Sequence, residues 1–267
     1  MLNYLALYAR YIALSLRSQL EYKASFVMSV AGNLLISAIE FLGIWALFDR
    51  FGNLKGWSLP EVAFFYGIVN TAFAIAEAVG RGFDVFPAMV KNGDFDRLLL
   101  RPRSTAFQVA ALELQLIRAG NFLQGLAILL WAVWALDVSW TFPKVLLTIG
   151  AIAGGACIFI GFFVMQATMS FWTTETLEIV NTITYGGTET AQFPLEIYRP
   201  WFRRFFTFVV PLALINYFPA LAILNRPDPY GTPEILKWGS PILGVAFLCL
   251  ILQLWRLGVR HYTSTGS

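Results

Sequence analysis

The sequence predicts an all-α integral membrane protein with six transmembrane helices, on three observations. Of its 267 residues, 58% are hydrophobic and only 13% charged, and mean hydropathy is +0.65. A soluble domain carries roughly 25% charge and needs that polar surface to meet water. Apolar runs recur at the length of about 20 residues that a helix needs to cross the hydrocarbon. Lysine and arginine are concentrated in alternate connecting segments, as in polytopic proteins. A soluble enzyme, a disordered chain and a secreted disulfide scaffold are thereby excluded. Six crossings with short loops leave no room for a soluble catalytic domain of ~100–150 residues.

The chain reads as one transmembrane domain, beginning with an amphipathic helix over 1–23. At 100° per residue, Asn3, Arg10, Arg17 and Glu21 share one stripe, and Leu5, Tyr8, Ile12 and Leu16 lie opposite. Such a helix lies in the headgroup interface. The same charges argue against a cleaved signal peptide. The first span, 24–48, holds one charge, Glu40; Asp49–Asn53 and Gly56 then turn the chain. The second, 61–80, opens at Pro60-Glu61 and carries Asn70 and Glu77. A charged stretch from Arg81 to Arg103 precedes the third, 117–136. The fourth, 145–172, is marked by Gly150, Gly154, Gly155 and Gly161, small residues that let helices approach closely.

Residues 175–204 are harder to assign. They hold Glu175, Glu178, Asn181, Thr184, Glu189 and the cluster Arg199, Arg203 and Arg204. Residues 205–224 are apolar but interrupted by Pro211 and Pro219, and the last span is 238–255. Two foldings are open. In one, 175–204 is a cytoplasmic loop and 205–224 the fifth span. In the other, 175–192 is a polar fifth span, and 193–224, from Pro194, folds back as a hairpin lined by protein.

Orientation follows from the basic residues. With the N-terminus inside, Arg10, Arg17, Lys23, Arg81, Lys91, Arg97, Arg101, Arg103, Arg118, Arg256 and Arg260 lie inside. Arg50, Lys55, Lys144, Arg226 and Lys237 lie outside. Both termini are then cytoplasmic, and charge alone favours the cytoplasmic loop, which keeps the three remaining arginines inside.

The most specific local pattern is Asn92–Arg103. Gly93-Asp94 signals a helix start with Asp94 as its cap, and Pro102 stops it. The short helix 94–101 carries Phe95, Leu98 and Leu99 as apolar contacts, with Asp96, Arg97 and Arg101 as polar ones. Such a helix suits docking into a groove of a soluble partner. No GxxxxGK[ST] pattern is present, so the chain has no P-loop for ATP. Cys157 and Cys249 lie inside apolar runs and read as buried thiols without a disulfide or metal. His261 is the single histidine, which argues against a histidine triad or a two-histidine zinc site. A net charge of +3, dispersed along the chain, gives no footprint for nucleic acid. Acids within spans are costly and mark function by default; a carboxylate facing a cavity favours cationic or amphipathic substrates. Trp131, Trp134, Trp140, Trp172, Trp201, Trp238 and Trp255 fall near span ends, as an interfacial belt does.

Three passages resemble the permease subunits of type-2 ABC exporters, in particular the bacterial branch of roughly 260 residues: NGDFDRLLLRP from Asn92, FPLEIYRPWFRRFFTFVVPLALINYFPALAIL from Phe193, and GVRHYTSTGS from Gly258. The resemblance implies an inner-membrane permease that pairs as a homodimer or heterodimer above two separate ATPase subunits. Those subunits hold ATP and Mg, and the permease itself binds no cofactor. It makes 94–101 the coupling helix and 1–23 a connecting helix. It makes 193–224, with Pro194, Pro211 and Pro219, an extracellular re-entrant hairpin, reversing the preference from charge. The substrate path then has Glu40, Asn70, Glu77, Asn181, Thr184 and Glu189 as candidate wall residues. The competing reading is a secondary transporter or channel using the same carboxylates; a membrane enzyme lacks a clustered acid–base set.

Overall fold

Apolar runs with few interior charges become long helices, and the breaks between them fall at glycine, proline and charged turns. A computed structural model describes residues 4–113, 115, 118–173, 177–228 and 231–263. Helix α1 (Tyr4–Glu21) gives way at Tyr22 to α2 (Lys23–Phe51), which Gly52, at a positive φ of 76°, ends. Helix α3 (Leu59–Lys91) starts with Pro60 in its first turn. There the Ser58 N–H donates to Glu61 Oε2 at 2.8 Å, one arm of a capping box. Sequence reading ended this span at 80. The helix runs on through Pro87 because Phe83, Phe86 and Val90 are buried and Arg81 pairs with Asp84 one turn on.

Two short helices follow, α4 (Phe95–Leu99) and α5 (Thr105–Ala110), then α6 (Ala119–Ala135), α7 (Phe142–Met169) and α8 (Leu177–Ala191). Beyond α8 the chain makes a 3-10 turn at Leu195–Ile197, then α9 (Pro200–Arg204), which widens into a π turn over Phe205–Val209. Pro211 breaks it, since proline supplies no N–H. A second arm, Leu212–Leu224, ends in α10 (Tyr217–Leu224), and the arms meet at 76°. Pro219 breaks nothing, contrary to the sequence reading: it lies in the first turn of α10, where backbone donors are unpaired anyway. Helix α11 (Glu234–His261) completes the chain.

Helices α2, α3, α7 and α11 are long and apolar enough to cross a bilayer, and the bent pair adds a fifth candidate. Helix α6 has 17 residues and α8 has 15, about 25 and 22 Å of rise. Six crossings therefore remain the sequence expectation. The described residues contain no strand, and a lone bridge joins Leu54 to Trp57.

Helix α3 is the axis of the packing, with α6 and α7 along its sides, and α11 packs on the far side of α7. The α7–α11 seam is close because it is built of small residues. A Cβ on Gly154 would come 2.7 Å from the Pro241 backbone, and one on Gly244 would come 2.4 Å from the Gly154 carbonyl. Van der Waals contact and backbone proximity, not apolar burial, drive such association in lipid. Helix α2 is the exception: only 6% of its apolar window is covered. It leans mainly on α6, where Phe41 meets Trp131 with centroids 6.2 Å apart.

The two ends of the bundle differ. Residues 52–58 precede α3 and α4 follows it, so they sit about 50 Å apart. Lys55 Nζ donates to the Ile197 carbonyl at 3.0 Å, and Trp57 Nε1 to Glu196 Oε2 at 3.4 Å. Residues 195–198 therefore lie at the end opposite α4. There Arg226 makes a two-pronged pair with Glu61, Nε–Oε1 at 2.7 Å and Nη2–Oε2 at 2.8 Å, and stacks on Trp57 at 4.9 Å. Bonding to Glu61 pushes the Arg226 pKa above its already high value.

Candidate functional site

Helix α4 is held by rings. Phe95 is wholly buried and meets Phe86 at 4.9 Å, Tyr262 at 5.0 Å and Phe171 at 5.6 Å between centroids. Trp255 closes the cluster at 4.8 Å from Phe86 and 5.3 Å from Phe171. Edge-to-face arrangements like these are favourable beyond their buried area. The cluster joins α4 to the near ends of α3, α7 and α11. Gln108 of α5 adds two bonds, its Nε2 donating to the Leu98 and Arg103 carbonyls at 3.1 Å each.

Several sequence expectations change here. Phe95 and Leu98 were expected as contacts for a partner; both are buried in the chain's own core. The outward residues are Arg97, Leu99, Leu100 and Arg101, with Leu100 86% exposed. The helix covers 95–99 rather than 94–101, and Arg101 lies beyond its end. Asp94 makes no side-chain cap; its N–H bonds the Met89 carbonyl at 3.0 Å, the chain turning at Gly93 with a φ of 75°. Its carboxylate lies 3.7 Å from Arg97 on the exposed side, and Asp96 is half-buried. Trp255 belongs to the buried ring cluster, not to an interfacial belt, and its Nε1 donates to Thr105 Oγ1 at 3.0 Å. Cys249 is exposed rather than buried, and Cys157 is intermediate.

A second feature is a cleft of about 410 Å³ between α2, α3 and α8. Three helices each contribute one stripe at helical spacing: Asn33, Ser37 and Glu40 from α2; Asn70 and Glu77 with Phe73 between them from α3; Tyr185, Thr188 and Glu189 from α8. Arg118 and Asn121 complete the wall. Glu77 is buried and paired with Arg118, Oε1 to Nη2 at 3.0 Å. Below it Arg81 pairs with Asp84, which also accepts from Gln166 at 3.4 Å. Carboxylate and guanidinium thus neutralise one another at the α4-proximal side of the cleft, and Glu40 and Glu189 leave its upper part acidic.

The structure brings together Glu40, Asn70, Glu77 and Glu189 of the sequence candidates. Thr184 is buried with its hydroxyl donated to the Val180 carbonyl at 2.9 Å, off the cleft wall. Asn181 is half-buried and also off the wall. Glu175 lies outside the described residues, as do Asn3 and the last four residues of the tail. Asn33, Ser37, Asn121, Tyr185 and Thr188 were missed. For Ser37, three residues from Glu40, and Tyr185, four from Glu189, that helical spacing was the available signal.

The family model described as ABC-2 family transporter protein matches residues 34–266. The chain belongs to the ABC-2 transporter family. No curated protein matches, and no solved structure matches. As an ABC-2 permease it is a multi-pass membrane protein and the permease component of an ABC transporter. Membership implies ABC ATPase subunits as partners, which accords with the missing P-loop pattern. The match spans α3, α4 and the bent pair, and so takes in both the ring-anchored helix and the cleft.

Proposed function

We propose that this ABC-2 permease is the membrane half of an ATP-driven exporter. It acts in the bacterial inner membrane with both termini in the cytoplasm. It pairs with a second permease, a like copy or a paralogue, and two ATPase subunits holding ATP and Mg dock beneath. The observation that carries the reading is the attachment of α4. A short helix presents Arg97, Leu99, Leu100 and Arg101 outward and is fixed by Phe95 to the ends of three spanning helices. A push on the exposed face is then delivered to α3, α7 and α11 as one body. Helix α2, with few contacts, is the wall free to shift. The cleft between them changes shape as nucleotide biases a two-state equilibrium.

The cleft supports a cationic or amphipathic substrate, since Glu40 and Glu189 line it together with aromatic Phe73 and Tyr185. The 193–224 segment serves as the extracellular hairpin, a reading supported by its bonds to 55–57 at the end away from α4. The test is co-purification with a P-loop ATPase and vanadate-sensitive ATP hydrolysis by the complex, stimulated by substrate. The two open carboxylates also support a second reading, a secondary transporter. Uphill flux by the permease alone in vesicles, driven by an ion gradient without ATPase, selects that reading and overturns the first.

A further inference from the structure

A second cleft, of about 600 Å³, lies away from the polar one and is walled by Val79 and Phe83 of α3, Val164 of α7, and Leu248 and Leu252 of α11. Helix α5 forms its remaining side. Among the described residues, the polar groups lining it are Ser104, Thr105 and Arg256, at one end, and none is acidic. That end is the α4 end of the bundle, and Arg103 and Arg260 flank it in sequence.

We propose that this cleft is a binding site for one anionic phospholipid, its acyl chain along the apolar walls and its phosphate at Arg256. Length is the first argument. From Leu248 to Arg256 α11 rises about 12 Å, close to the ~15 Å of hydrocarbon in one leaflet. Charge is the second. Arg256 is exposed, its Nη1 held by Gln253 Oε1 at 3.2 Å, and basic groups at a membrane surface favour anionic headgroups. Position is the third. Trp255 belongs both to this cleft and to the ring cluster that fixes Phe95. Thr105 at its mouth accepts the Trp255 N–H. A lipid seated here braces the attachment of α4 from its open side. The site rests on the membrane-spanning family membership and not on the direction of transport.

The test is native mass spectrometry of the full-length permease after exchange into equal phosphatidylglycerol and phosphatidylcholine. One phosphatidylglycerol per chain is expected, preferred about fivefold over phosphatidylcholine. Arg256→Gln should bring that preference to about one while leaving retention of one lipid. Ala110→Phe, which fills the cleft from α5, should abolish retention of both, with thermal unfolding in phosphatidylcholine reporting whether it folds. If it does not fold, the Arg256→Gln ratio decides alone. Equal retention of the two lipids by the unaltered chain, or an unchanged preference in Arg256→Gln, overturns the proposal.

Discussion

The ring of Tyr262 meets the ring of Phe95 edge-on, centroids 5.0 Å apart and planes at 84°. The residue just beyond the last long helix thus grips the short helix that follows α3. The contact makes α4 a part of the core rather than an appendage on a loop.

Phe95→Ala removes the centre of the ring cluster and should cost about 3–5 kcal/mol of stability, read as a lowered unfolding midpoint in detergent. Leu100→Asp, on the exposed side, should change stability by no more than about 0.5 kcal/mol yet reduce the ATPase recovered with the permease. An unaltered midpoint in Phe95→Ala would show that the rings are not what anchors α4.

The two ends of the bundle should face opposite sides of the membrane. With Cys157→Ala and Cys249→Ala as background, Trp201→Cys should react with an impermeant thiol reagent in intact cells. Leu100→Cys should react only after permeabilisation. Equal labelling of the two in intact cells would place both on one side and defeat the hairpin assignment.

The α7–α11 seam should tolerate no added methyl. Gly154→Ala pushes a Cβ to 2.7 Å from the Pro241 backbone and should destabilise by about 1–3 kcal/mol. Gly239→Ala, with no atom within 4 Å of its Cβ, should gain up to about 1 kcal/mol from helix propensity. Thermal unfolding of the pair separates crowding from propensity, since the signs are opposite.

Within the cleft, the carboxylates should divide by role. Glu40→Gln and Glu189→Gln should leave the unfolding midpoint nearly unchanged and lower transport of cationic substrates relative to neutral ones. Glu77→Gln takes the charged partner from Arg118 and should cost about 1.5–3 kcal/mol. A midpoint that falls equally in all three would make Glu40 and Glu189 structural.

What the sequence made legible was membrane character and the polar residues lodged in apolar runs. Glu40, Asn70, Glu77 and Glu189 all announce themselves that way, and all reach the cleft. Thr184 gave the same signal wrongly, because a buried threonine can satisfy its hydroxyl on its own helix. For α4 the pattern revealed two faces but not which one was inward. Phe95 is buried by Phe171, Trp255 and Tyr262, residues remote in the chain, and Gln108 of α5 closes over Leu98. The Glu61–Arg226 pair is hidden because one partner opens α3 and the other follows α10, and no local spacing links them.

The sparse contacts of α2 bear on how the molecule is made. Synthesis delivers α2 to the bilayer well before α6, the helix it rests on. Its outward side is apolar, with Val27, Leu35, Ile39, Leu42 and Trp45 exposed, so lipid can solvate that side in the interval. The stripe of Asn33, Ser37 and Glu40 is what gains from the later arrival of α3 and α8, as the bundle closes around it.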